Sequence, residues 1–315
     1  MKYLVFILTT IISISAAAQK KTAFYDFYWK PTAVDQARFY SVTEKTDSGW
    51  LRRDYYINGM QIQMEALYKD SACTIQHGHA YYFHPNGKPS IIGSKTDDKL
   101  NGVCVSYYSN GMLADSATYK NNIPVGCRYS WHRNGFMSDS TGHANDSMDV
   151  QITWYDDGAI SSAGYWLKNK KQGKWQYWHR NGNLAGLELY NHGKLIDRQY
   201  FEPDKSLQPD TAKANSAATF KKGGSEGWKK YVARSSYWPP NTKLVNTNSV
   251  TVGVQFTINE EGKPENIEIY CPFLPQFDNA AIDIIKTSPA WNPAIAQNRK
   301  IKTTLRQPIT FQQEE

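Results

Sequence analysis

Apolar and polar positions along this chain follow three successive rhythms. Behind a single Lys2, residues 3–18 form an apolar-to-small run that ends in Ala16 and Ala18. That is the layout of a secretory signal, with cleavage expected after Ala18. A retained anchor helix is the alternative, but at 1.5 Å per residue the run reaches only about 24 Å, short of a hydrocarbon core of about 30 Å. From about residue 50 a second rhythm begins: an aromatic, two or three polar residues, then Asn-Gly or Asp-Gly, six times over, as in YYSNGM and WHRNGF. Its glycines are Gly59, Gly87, Gly111, Gly135, Gly158 and Gly182, spaced 28, 24, 24, 23 and 24 residues apart. Four positions before each stands Tyr55, Phe83, Tyr107, Trp131, Trp154 or Trp178.

Each unit predicts one hairpin, because Asn-Gly and Asp-Gly favour the positive φ values of a type I′ turn. A lone hairpin is marginal in water, so the six aromatics are expected to be structural, buried as one ladder when the hairpins stack. Four units carry a second glycine nine positions earlier, Gly78, Gly102, Gly126 and Gly173. These are expected to mark the turns between units, where the backbone bends closely.

The third rhythm follows a stretch rich in Pro, Asp, Lys, Ser and Ala over residues 199–219, which reads as a flexible linker. Val250, Val252, Val254, Phe256 and Ile258 then alternate onto one face, and Ile267, Ile269 and Cys271 repeat the alternation after a polar turn. Phe277, Ala281, Ile284 and Ile285 recur at helical spacing until Pro289 ends the run. A last strand runs from Ile301 to Phe311, and Pro308, lacking an N–H, places it at a sheet edge. With the helical GWKKYVARS segment in front, the order is helix, strand, strand, helix, strand. Trp291 reads as a plug beneath the sheet. The fold class is therefore mainly β, a repeat array of stacked hairpins plus a small α+β domain. The expected divisions are a signal peptide (1–18), an N-terminal leader (19–49), the repeats (50–198), a linker (199–219) and the C-terminal domain (220–315).

Composition narrows the function. At 40% hydrophobic and 14% aromatic residues the chain is too rich in core-forming side chains to be disordered. Its net charge of +7 is spread thinly, with no basic run beyond pairs, which argues against nucleic acid as a partner. Cys104 and Cys127 differ by one position in repeat phase and so fall on opposite sheet faces; free thiols, with at most one disulfide, are expected for the four cysteines. His132 and His179 hold the same place in units about 48 residues apart, too far to converge on one metal, and read as surface residues beside the ladder. No nucleophile elbow, phosphate loop or metalloprotease motif is present, and Asp156 and Asp157 sit in a turn where Asp serves the backbone. We expect no catalysis, no metal, no cofactor and no small-molecule substrate.

The repeats resemble the variant MORN family in the aromatic, the Asn-Gly and the G-x-x-x-x-aromatic spacing. Residues 220–312 resemble the TonB C-terminal domain: the KKGGSEGWKKYV entry, the turn at Asn259 and Gly262, Asp278, Ala281, Pro289, Trp291, Pro293 and Ala294, and the closing Pro308 to Phe311. The second resemblance implies a protein partner, such as an outer-membrane TonB-dependent receptor, bound by strand addition along Ile301, Lys302, Thr303, Thr304, Leu305 and Arg306 in TonB-linked transmembrane transport. On that edge Lys302, Thr304 and Arg306 are expected to point outward and tune which peptide fits. It also implies residence in the periplasm or cell envelope after cleavage, or at the inner membrane if the signal is retained. A general envelope scaffold with no transport role is the alternative. A full energy transducer has a membrane helix and a long spacer; here a repeat array stands where the spacer would be.

Overall fold

The computed structural model describes residues 20–313 apart from 146–147 and 245–246; the expected signal lies outside them. Hairpin follows hairpin in a sixteen-stranded antiparallel sheet from Lys21–Tyr25 to Lys194–Tyr200, in which the two-residue strand Lys99–Leu100 is a spur on Pro89–Thr96 and every other strand pairs with its neighbours in chain order. The sheet starts well before residue 50, because Lys21–Tyr25 and Phe39–Thr46 already pair within the expected leader.

The Asn-Gly turns are not type I′. At Gly111 only the glycine is left-handed, with φ +92°, while Asn110 is not. Gly111 N donates to Tyr108 O (2.8 Å) and Tyr108 N to Met112 O (2.9 Å). That is a type I turn closed by a glycine bulge. The type I′ pairs lie at the opposite edge, between units, at Asp97-Asp98, Asn121-Asn122 and Lys168-Asn169, where both residues have positive φ. Gly78, Gly102, Gly126 and Gly173 therefore do not make the inter-unit turns. They lie within strands in left-handed conformations, and the pairing register breaks beside Gly126.

The Asn of the repeat has a second task. Asn86, Asn110 and Asn134 donate through Nδ2 to the main-chain carbonyls of Ser109, Arg133 and Asp156 in the following turn, at 2.8, 3.0 and 2.6 Å. A parallel ladder arises from the residue after each aromatic from Phe83 onward, whereas Tyr56, after Tyr55, turns its hydroxyl to Tyr270 O. His84 Nε2 bonds Tyr107 O (2.8 Å), Tyr108 OH bonds Trp131 O (2.7 Å) and His132 Nε2 bonds Trp154 O (2.9 Å). Tyr155 OH and His179 Nε2 continue it to Trp178 O (2.7 Å) and Phe201 O (2.8 Å). These histidines are thus ties between units. Each acceptor is a carbonyl, so each ring nitrogen must carry the proton.

Tyr55, Phe83, Tyr107, Trp131, Trp154 and Trp178 are half-buried rather than buried. The array is one layer thick, so no second layer covers them; each stands opposite an apolar residue or proline across its own hairpin, as Trp154 does opposite Ile160 and Trp178 opposite Leu184.

The C-terminal domain keeps the expected order. Helices α1 (Gly224–Ser235) and α2 (Pro275–Lys286) cover one face of a three-stranded sheet ordered Pro264–Cys271, Ser249–Ile258, Thr303–Gln312. Val252, Val254, Phe256 and Ile258 of the central strand have no exposed surface. Trp291 lies under the sheet among the rings of Phe220, Trp228 and Phe256, with centroids 5.0–5.8 Å away. The segment read as a flexible linker is ordered. It holds a one-turn helix at Thr211–Ala214, bridges Ser216 to Ile295 and pairs Thr219–Phe220 with Trp291–Asn292. Its backbone donors find partners in both neighbours, which fixes it.

Because Tyr155 is buried and its hydroxyl satisfies a carbonyl of the next unit, Tyr155→Phe should destabilise the protein by about 1–2 kcal/mol in urea unfolding. An unchanged midpoint would show that the inter-unit ladder contributes nothing.

Candidate partner-binding site

The closing strand pairs with the central strand in unbroken register from Ser249↔Gln312 to Ile258↔Thr303. Gln313 N donates to Asn248 O (2.8 Å), which sets the phase. By antiparallel alternation, the odd-numbered residues 303–311 bond to the central strand, while Thr304, Arg306, Pro308, Thr310 and Gln312 turn their backbone groups to the outer side. Pro308 is tolerated for that reason: its missing N–H would have faced outward. Among the described residues no strand pairs with that outer side. A groove of about 530 Å³ runs beside it, floored by Trp228, Val232 and Ala233 of α1 and by Gln307, Pro308 and Thr310. Trp228 Nε1 is fixed by Gln307 Oε1 at 3.0 Å.

The expected site residues divide between elements. Ile301 ends a separate short strand, Arg299–Ile301, opposite Ala294–Ala296; Lys302 is the bend, and Thr303 opens the closing strand. Leu305 packs on the core. The side chains of Lys302, Thr304 and Arg306 turn to the polar face of the sheet, not to the peptide edge. Lys302 Nζ reaches Glu265 Oε1 (2.8 Å) and Asp156 Oδ2 (2.9 Å), Thr304 pairs with Thr257, and Arg306 bonds Gln255 and lies over the Tyr270 ring. Strand alternation accounts for this: the opposite set, Leu305, Ile309 and Phe311, is committed to the core.

That polar face is docked on the array. Asn58 Nδ2 donates to Phe273 O (2.8 Å), Ser109 and Arg133 both bond Glu268, Asp156 bonds Lys302, and Arg180 bonds Glu260 at 2.8 Å. Each array partner belongs to an Asn-Gly or Asp-Gly turn. Two buried arginines close the ends of the seam. Arg38 donates to Thr251 O (2.6 Å) and Pro272 O (2.7 Å) and stacks on Phe273; Arg299 donates to Ser161 O (2.6 Å) over the Tyr177 ring. Apart from Lys302, expected to face a peptide and not the array, none of these seam residues was singled out from sequence as a contact. The repeated turns were legible, but contacts some 80 to 230 residues away carry no local signal.

Burial would raise the Asp156 carboxyl, yet the bonds from Lys302 and Arg180 outweigh it and hold its pKa at about 2. Cys271 is the reverse: burial pushes its thiol up to about 11, so it stays protonated and unreactive at neutral pH. The four cysteines are unbridged, and among the described residues no cluster of His, Cys, Asp and Glu suits a metal. No described helix is long and apolar enough to cross a membrane.

The family model described as the Gram-negative bacterial TonB protein C-terminal matches residues 244–312, and the MORN repeat variant model matches residues 76–94, 100–121 and 171–192. No curated protein matches the chain. The matches thus place a MORN-variant array ahead of a TonB C-terminal-like domain, a type that mediates protein–protein interaction in the Gram-negative envelope.

Because Asp156 is depressed from 3.8 to about 2 in the docked state, its contribution to the seam is complete above about pH 4 and lost as pH falls through about 2. The protection of amides around Lys302 and Arg180, taken as their exchange relative to the intrinsic rate at each pH, should therefore fall across that window, and Asp156→Asn should remove the step. Protection that stays unchanged from pH 5 to pH 2 in the native chain would refute the assignment.

Proposed function

We propose that this protein is an exported, non-enzymatic adaptor of the envelope. Its C-terminal domain captures an extended segment of an outer-membrane receptor, or of another envelope protein, by strand addition in TonB-linked transport. The observation that supports this reading is the outer side of Thr303–Gln312, where among the described residues no strand pairs with alternate main-chain groups, beside a groove of mixed polarity floored by Trp228, Val232 and Ala233. Backbone pairing gives such a complex its affinity, and the groove selects every second side chain of the peptide. Among the described residues, the adjacent carboxylates Asp156 and Asp157 are taken up by Arg180 and Lys302 and so are not poised for acid–base work.

A general scaffold is the second reading. It is favoured by the seam, which fastens the domain along the array instead of leaving it at the end of a free spacer.

Titrating an extended peptide from a TonB-dependent receptor into the labelled chain separates the two. Thr304→Pro removes an outward N–H without breaking the internal ladder, and should abolish peptide shifts along residues 303–312 while preserving the fold. Lys302→Ala should leave peptide affinity within about twofold, since its side chain serves the seam. Shifts confined to the Pro264–Cys271 edge, or no shifts, would remove strand addition at this site and leave the scaffold reading.

A further inference from the structure

The cross-strand register of the array sets its middle apart from the bulky residues on either side of it. One continuous row runs across the sheet on the face that carries Tyr108 and Tyr155. It begins with Ser41 and Asp54, both buried, passes through Met64, Tyr82 and Ile91, and closes with Tyr177, Gly186 and Tyr200. Met64 and Tyr177 belong to buried clusters there. Between them, six successive strands place Ser106, Asp115, Ser130, Asp139, Thr153 and Ser162 side by side, of which Ser162, at the C-terminal wall, is buried. Large side chains would have served the hairpins equally well, so the middle of this face is a trough with bulky walls at both ends.

The trough is hydrogen-bonded in advance. Ser106 and Ser130 donate to the two oxygens of Asp115 at 2.9 and 2.7 Å, Thr141 donates to Asp139 at 2.9 Å, and the hydroxyls of Thr153 and Ser162 meet at 2.7 Å. Gln151 also donates to Asp139, and its carbonyl accepts from Trp166 Nε1 at 3.0 Å. Trp166 is itself braced edge-to-face by Trp175, with centroids 5.4 Å apart. Beside the row opens a groove of about 340 Å³ whose lining includes Arg128, Thr141, Gln151 and Trp166.

We propose that this trough binds an extended β-1,4-linked glycan. A hydroxyl that gives its proton to a carboxylate keeps its lone pairs, so the row is dense in acceptors, with Arg128 as a donor at its border. That matches a chain bearing many hydroxyl donors. Asp115 and Asp139 make the floor acidic, which disfavours polyphosphates, and the row lacks the apolar anchors on which protein partners depend. Neighbouring strands lie about 4.8 Å apart, close to the rise of one pyranose in an extended β-1,4 chain, so each strand meets about one sugar. The indole of Trp166 supplies a flat apolar surface for a sugar face.

Calorimetric titration of the full chain with hexamers of β-1,4-linked N-acetylglucosamine and of β-1,4-linked glucose tests this and distinguishes amino sugar from neutral sugar. At least one hexamer should bind. Ser130→Tyr, which refills the trough with the residue found at its ends, should weaken binding at least about tenfold, and Arg128→Ala should weaken it by about tenfold. Both variants should retain the native melting temperature and receptor-peptide binding at the closing strand, which separates this site from that one. Should Ser130→Tyr fail to fold, Arg128→Ala decides. No binding of either hexamer at millimolar concentration, or an affinity unchanged in the folded variants, overturns the proposal.

Discussion

A sheet one layer thick cannot bury its own faces, and the rest of this molecule follows from that constraint. The usual remedy, a second layer along the whole sheet, is missing over most of the array. Its place is taken by side-chain bonds between units: Asn to the next turn's carbonyl, and alternating His and Tyr to the carbonyl of the next half-buried aromatic. Each tie satisfies a main-chain group that the bulged turn leaves over, and each needs the following unit to be present. Stability then accumulates by nearest neighbours, as in other repeat proteins.

The C-terminal domain supplies a partial second layer where the ties emerge. Its small sheet places an apolar face against two helices and a polar face against the array turns, and strand alternation is what makes the two faces compatible. Salt bridges at that seam gain little where water screens them, whereas Arg38 and Arg299 are buried and donate mainly to carbonyls, Arg38 through both terminal nitrogens. Those two anchor the ends of the seam, and the turn contacts set its alignment. The edge of Thr303–Gln312 lies outside the seam, so docking leaves its outer main-chain groups without a strand partner.

Much of this was written in the local pattern. The spacing of Gly87, Gly111 and Gly135 gave the hairpins, the alternation from Val250 to Ile258 gave the central strand, and Pro308 gave the sheet edge. Turn type was misjudged, because Asn-Gly fits both a type I′ turn and a type I turn with a glycine bulge, and the choice depends on Asn reaching the next repeat. The aromatics were expected to be buried because periodicity reports which residues share a face, not whether anything covers it. Residues 199–219 looked like a spacer by composition, yet their donors are taken up by groups such as Ile295, far along the chain. For the same reason Lys302 seemed free to read a peptide when Asp156 holds it.

Residue-resolved hydrogen exchange along the closing strand tests most directly whether its outer side is open. In the free protein the amides of Thr304, Arg306 and Thr310 should exchange rapidly while those of Leu305, Ile309 and Phe311 are protected, and a receptor-derived strand should slow the first set alone. Protection of Thr304, Arg306 and Thr310 before any peptide is added would mean that the edge is already occupied, and would contradict the account.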